Sequence, residues 1–189
     1  MNIFIGCSSR DDIPEKYKKD CKEYLEKIFK ENHNLVFGAD NKGFMGLSYE
    51  TALKFGRSIT GICPELYKDD FKNLECTTEI IAKNVGERTD EMIKNSDALV
   101  FLPGGLGTIY ELFTAIETKR SHEHDKPIIL YNSCNYFDRL ISLLEKMYDE
   151  NFTAQKSASL YYIAETAEET LDYINYYYDK EKMVRKRNM

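Results

Sequence analysis

The stretch Ser96 to Glu111, SDALVFLPGGLGTIYE, holds the change of pattern that decides the fold. Ala98 to Leu102 is an apolar run short enough for a buried strand. It breaks at Pro103, passes Gly104, Gly105 and Gly107, and takes up helical spacing from Thr108 onward. Backbone amides free of side chains, next to the positive end of a helix dipole, make a seat for a phosphate or carboxylate. The stretch therefore predicts an anion cradle at the carboxyl edge of a parallel sheet.

Strand and helix patterns alternate on both sides of it. Asn2 to Gly6 is an apolar strand that runs into the small-residue turn Gly6-Cys7-Ser8-Ser9. A helix follows from about Pro14, with Tyr17, Cys21, Tyr24, Leu25, Ile28 and Phe29 recurring at helical steps. Asn34 to Phe37 is the next strand, ending in a loop with Gly38 and Gly43, before a helix over Gly46 to Phe55. Arg57 to Ile62 reads as a third strand broken by Pro64, with a polar loop reaching Glu75; Thr77 to Ala82 reads as a short fourth, and Glu87 to Asn95 as a helix. Beyond the helix opened by Thr108, strands over Pro127 to Tyr131 and Tyr161 to Ala164 alternate with helices over Tyr136 to Tyr148 and Glu168 to Tyr178. This order implies an α/β fold with a mainly parallel, doubly wound sheet and helices on both faces. In such sheets ligands bind beyond the carboxyl ends of the strands, where strand order reverses. The loops Gly6 to Ser9, Gly38 to Gly46 and Pro103 to Thr108 should then converge on one cleft.

With 189 residues and no Pro/Gly/Ser-rich or like-charge divide, the chain reads as a single domain, 1–189, ending in a flexible basic tail over 180–189 that carries Arg185, Lys186 and Arg187. A content of 42% hydrophobic and 31% charged residues suits a soluble globular protein and excludes long-range disorder. The net charge of -6 argues against a nucleic-acid partner. No signal-peptide pattern or membrane-length apolar run is present, so the expected location is cytoplasmic, with no membrane partner. The five cysteines are odd in number and lack a C-x-x-C pair, which suggests neither a disulfide framework nor a zinc site. Cys7 follows the first strand, where it can line a cleft, but has no evident His partner for nucleophilic use. His122 and His124 flank Glu123 in a charged loop, and His33 is distant; each reads as a surface residue, not as part of a metal site.

The glycine loops fit neither common nucleotide fingerprint. A dinucleotide loop needs glycine where Tyr110 stands, and a P-loop starting at Gly38 needs lysine where Phe44 stands. Gly104, Gly105 and Gly107 can be read as a tight turn needing unusual backbone angles. Three glycines in four positions exceed that need and favour contact with a ligand. Thr108 to Glu111 fits a capping box, with Thr108 as cap and Glu111 reaching back to it. The competing reading puts the Glu111 carboxylate above the cradle, against ribose hydroxyls or a cationic sugar, and spacing alone leaves the two open. Arg88 is either a solvated charge early in a helix or a group for phosphate or a departing base. Tyr173, Tyr176 and Tyr177 sit at helical spacing and read as core or subunit contact.

Together these residues resemble the LOG family of cytokinin-activating phosphoribohydrolases, once labelled "possible lysine decarboxylase". Its P-G-G-x-G-T-x-x-E mark is met by Pro103, Gly104, Gly105, Gly107, Thr108 and Glu111. Gly86 to Met92 looks like the family's Arg-Lys helix start, Gly43, Met45 and Gly46 like its G-x-M-G loop, and Gly6, Ser8 and Ser9 like its G-S-S turn. The resemblance implies a Rossmann-like fold and a homodimer with composite sites. It also implies hydrolysis of the N-glycosidic bond of a nucleoside 5'-monophosphate to free base and ribose 5-phosphate. Arg88 and Glu111 would be the catalytic pair. Ser8, Ser9, Gly43, Met45 and Gly46 would bind substrate and phosphate together with Gly104, Gly105, Leu106, Gly107 and Thr108. No metal or cofactor is implied, and no pyridoxal-phosphate lysine is in context. The chain departs from the family at Thr89, where a lysine is usual, at Ala39 and Asp40, which replace glycines, and at Leu106 and Tyr110. These departures leave room for two other functions: a non-catalytic nucleotide or phosphorylated-cofactor binder, like a molybdenum-cofactor carrier or a sensor, and a nucleoside deoxyribosyltransferase.

Overall fold

Short β-branched and aromatic runs make the strands β1 (Asn2–Gly6), β2 (Asn34–Phe37), β3 (Ile59–Pro64), β4 (Thr78–Ala82), β5 (Ala98–Phe101), β6 (Ile128–Tyr131) and β7 (Tyr162–Ala164). In the computed structural model, which describes residues 1–187 with the side chains of 70 and 181–187 left aside, these strands form one sheet in the order β4-β3-β2-β1-β5-β6-β7. Every pairing is parallel, from Thr60 opposite Thr78 at one edge to Tyr131 opposite Ala164 at the other. The order runs outward from β1 to β4, then starts again on the other side of β1 with β5. The switch point therefore lies between β1 and β5.

The helices are α1 (Glu15–Lys30), α2 (Gly43–Lys54), α3 (Val85–Lys94), α4 (Leu106–Arg120), α5 (Asp138–Asp149) and α6 (Ala167–Arg187). Two apolar layers show which face each helix covers. Ile3 and Ile5 of β1 pack with Leu25 and Ile28 of α1, Ala52 of α2 and Ile174 of α6. Phe4, on the opposite face of the same strand, packs with Met92 of α3, Leu112 of α4 and Leu140 of α5. A parallel sheet buried on both faces has no need of alternating polarity, and Ala98–Phe101 is accordingly apolar throughout and buried at every position.

Several boundaries differ from the sequence reading. Pro64 ends β3 instead of breaking the chain beyond it, at a strand terminus where a missing N–H costs little. The expected polar loop contains 3-10 helix over Glu65–Asn73. α2 begins at Gly43, not Gly46, because Ser8 O accepts from the amides of Phe44 and Met45 at 2.8 and 3.2 Å and Asp11 accepts from that of Gly43 at 2.9 Å. Caps supplied from another loop leave no local signal. Side chains of the tail beyond Lys180 lie outside the described residues, and no described helix is long and apolar enough to cross a membrane.

Candidate active site

α4 starts at Leu106 with Gly105 as its N-cap and no side-chain cap, so of the two readings the spacing leaves open for Thr108 and Glu111, the capping box is absent. Thr108 sits inside the first turn. A reciprocal cap forms instead on α3, where Asn84 accepts from the Glu87 amide at 3.0 Å and the Glu87 carboxylate accepts from the Lys83 amide at 2.7 Å. Released from capping, Glu111 points from α4 toward the sheet, and its Oε1 lies 3.3 Å from Nη1 of Arg88 on α3.

The pair is buried, with side chains 4% and 14% exposed for Glu111 and Arg88. Arg88 is fixed further by donating from Nε to Ile62 O at 3.2 Å and from Nη2 to Gly38 O at 3.4 Å. Glycines at two strand ends make room for it. A Cβ on Gly38 would fall 1.9 Å from Arg88 Nη2, and one on Gly6 would fall 2.6 Å from the Phe101 ring and 3.4 Å from Glu111 Oε2. Burial pushes the Glu111 carboxyl up to about 7, with Arg88 pulling the other way. The group is thus poised to change protonation near neutral pH.

Above the pair opens a cleft of about 630 Å³ at the carboxyl edge of β1, β2, β3 and β5. Of the residues expected at the site, Ser8, Ser9, Met45, Arg88, Gly105, Gly107, Thr108 and Glu111 line it. All three expected loops reach it. Four expected residues do not line it. Gly43 and Gly46 face a separate hollow of about 640 Å³ between α1 and α2. Their amides go to Asp11 and Lys42 O and so are not free donors in this structure; Gly43 has φ +55, and a Cβ on Gly46 would meet Asn41 O at 2.3 Å. Leu106 is 91% exposed and belongs to an apolar strip on α4. Gly104 lies behind the cleft, where a Cβ would fall 2.0 Å from Thr108 Oγ1.

Gly104, Gly105 and Gly107 all lie outside the left-handed region, and a Cβ on Gly105 or Gly107 would meet nothing within 4 Å. Backbone angles and packing therefore do not require these two glycines. They leave the α4 amides bare toward the cleft. No acceptor among the described residues takes the amides of Gly105, Leu106, Gly107 or Thr108, whereas the amides at the start of α2 are all taken. One helix start is open to an anion and the other is closed.

Sequence reasoning missed Tyr67 and Asn73, which reach the cleft from the 3-10 segment, and Val85 at the start of α3. A polar loop without periodicity carries no signal of where it folds back. Cys7 does line the cleft, but burial, then the neighbouring Glu111, pushes its thiol well above the usual range, so it is no thiolate nucleophile. Thr89 is buried, donates to Val85 O at 3.1 Å, and does not reach the cleft. His124, expected at the surface, is half-buried with Nε2 3.0 Å from Ala115 O, and His33 is half-buried too. No group of three or more His, Cys, Asp or Glu able to hold a metal ion occurs among the described residues. Tyr173 stacks on Tyr162 with centroids 4.4 Å apart, while Tyr176 is exposed.

Switch-point geometry, an open helix start and a buried Arg–Glu pair mark the carboxyl edge of this Rossmann-type sheet as the candidate site. The family described as "Possible lysine decarboxylase" matches residues 45–174, and the chain belongs to it, the LOG family. The chain is 30% identical over 188 residues to the cytokinin riboside 5'-monophosphate phosphoribohydrolase LOG1 of Arabidopsis thaliana, covering 98% of this chain and 87% of that one. It is also 30% identical over 176 residues to the probable cytokinin riboside 5'-monophosphate phosphoribohydrolase LOGL6 of Oryza sativa subsp. japonica, covering 93% and 70%. The molybdenum cofactor carrier protein of Chlamydomonas reinhardtii superposes with a TM-score of 0.68 over 94% of this chain and 98% of its own, at 18% identity, a likeness of fold.

Proposed function

We propose that the chain is a hydrolase that cleaves the N-glycosidic bond of a nucleoside 5'-monophosphate to free base and ribose 5-phosphate, and that it works as a homodimer. The observation that carries this reading is the buried Glu111–Arg88 pair on the floor of the cleft, beside the open start of α4. The names of the relatives, at about 30% identity, support the same chemistry.

In this mechanism the 5'-phosphate sits on the amides of Gly105, Gly107 and Thr108 and takes a further hydrogen bond from the Thr108 hydroxyl. The sugar then lies over Glu111. As the bond from the anomeric carbon to the base nitrogen breaks, positive charge grows on the ribose ring, and the ionised carboxylate stabilises it. Glu111 takes a proton from the water that adds to the anomeric carbon, and the departing base nitrogen gains one from solvent. Arg88 holds the carboxylate in place and offsets charge on the base as it leaves. A decarboxylase reading lacks support. Pyridoxal phosphate chemistry needs a lysine amine inside the cleft, and Lys42, which lines it, is exposed at the rim.

The test is a panel of AMP, CMP, GMP, UMP and N6-substituted AMP, with free base followed by chromatography. Release of base by the wild type, lost by about 10³-fold in Glu111→Gln and about 10²-fold in Arg88→Ala, supports the assignment. Full activity in either variant removes it.

A further inference from the structure

The carbonyls of the turn before α4 are all held by the protein. Ser8 N–H donates to Pro103 O at 3.3 Å, and Ile109 N–H donates to Gly105 O at 3.1 Å. The carbonyl between them, Gly104 O, accepts from the hydroxyl of Tyr136 at 2.7 Å. Tyr136 comes from a distant part of the chain, just after β6, and reaches the turn in a second hollow that adjoins the cleft and shares Ser8, Arg10 and Gly105 with it. Its ring is fixed edge-on against Tyr17 at 5.6 Å and Phe137 at 5.0 Å between centroids.

A trans peptide unit points its C=O and N–H in opposite directions, and no peptide bond among the described residues is cis. Whatever holds Gly104 O thus also sets the direction of the Gly105 N–H. Gly105 lines the cleft, and its amide has no acceptor among the described residues. A second unpartnered group points to an anion at the same place. Thr108, a residue 4% exposed overall, lines the cleft, and its hydroxyl makes no hydrogen bond among the described residues. Gly104 adds no rigidity of its own, having no side chain, so the plane of this peptide is fixed by that outside contact together with the bonds on either side of it.

We propose that Tyr136 is a positioning residue for phosphate recognition: its hydroxyl locks the Gly104–Gly105 peptide so that the Gly105 amide faces the cleft as a donor to the 5'-phosphate. The proposal rests on the reading above that the cleft takes a phosphorylated sugar. It assigns Tyr136 a role through the backbone, with no contact to the substrate. Without the hydroxyl the peptide plane can rotate, and the amide is presented only part of the time, which weakens binding by the fraction of time lost.

Tyr136→Phe keeps the ring and its packing and removes only the donor. Ribose 5-phosphate is the probe, titrated by calorimetry and by 15N amide spectra of the wild type and the variant. The expected result is a dissociation constant raised about tenfold, a smaller ligand-induced shift of the Gly105 amide, and unchanged amide positions in β1 and α2. In turnover, KM for the nucleotide rises by a similar factor while kcat falls less than threefold, a split that general loosening of the fold would not give. An unchanged dissociation constant overturns the proposal. Failure of the wild type to bind ribose 5-phosphate overturns it as well, whereas the hydrolase reading is judged separately by base release from the nucleotide panel.

Discussion

Glu111 is a buried carboxyl whose ion-pair partner among the described residues is Arg88. Its carboxyl is raised to about 7 by burial, against an ordinary value of 4.5, while the Arg88 guanidinium at 3.3 Å limits the rise. The native state therefore keeps a proton that the unfolded chain has already lost between those values. The stability this contributes is complete below about pH 4.5 and is lost as pH rises through about 7. Melting temperature should fall between pH 5 and 8 in the wild type, and Glu111→Gln should flatten that slope; an identical slope in the variant would place the titration elsewhere. Activity should run the other way, with kcat/KM rising through about pH 7 as the carboxylate ionises. The limb should move in Glu111→Asp, whereas a limb due to the substrate phosphate, with its own pKa near 6, would stay. Gly38 offers a second test at this scale. A Cβ there would fall 1.9 Å from Arg88 Nη2, the far end of a flexible side chain, so Gly38→Ala should displace the guanidinium without unfolding the strand. We expect about a 10²-fold loss of activity with melting changed by only a few degrees, read by base release beside a thermal scan.

At the scale of elements, two helix starts face the same loop after β1 and do different things. The amides of α2 are taken up by Ser8 O, Asp11 and Lys42 O, while those opening α4 have no acceptor among the described residues. Adding ribose 5-phosphate should shift the amide resonances of Gly105 to Thr108 and leave Gly43 to Gly46 in place; the reverse pattern would assign the phosphate to α2. The contrast also shows what a sequence reveals and what it hides. The strand–glycine–helix order of Ala98 to Glu111 was legible because buried parallel strands are continuously apolar and glycine interrupts them visibly. Which helix start is left open was not, because α2 is closed by a carboxylate and a carbonyl from a loop over thirty residues away. The same holds for Glu111. Local spacing matched a capping box, but helix registry put the cap at Gly105 and turned the carboxylate to Arg88. Tyr67, in a polar segment with no period, was invisible until the 3-10 turns brought it to the cleft.

For the molecule as a whole, the doubly wound sheet places Arg88 and Glu111 on consecutive helices, α3 and α4, that cover the same face. α4 presents a further surface on its outer side, where Leu106, Ile109, Tyr110 and Phe113 line an apolar groove and Leu106 is 91% exposed. An exposed strip of this kind, beside the mouth of the cleft, suits a second copy of the chain. Light scattering should give a mass near twice the 22.1 kDa of one chain, and Leu106→Glu should shift it toward one; a monomeric wild type would remove the homodimer. Hydrolysis at Glu111 beside Arg88 is read from its two products together. Wild type and Glu111→Gln are each incubated with the best nucleoside 5'-monophosphate of the panel, and free base and ribose 5-phosphate are quantified together. Equal amounts of both products are expected from the wild type and about 10³-fold less from the variant, with ribose 5-phosphate still bound. Release of base by Glu111→Gln at the wild-type rate, or release of inorganic phosphate in place of base, would contradict this chemistry.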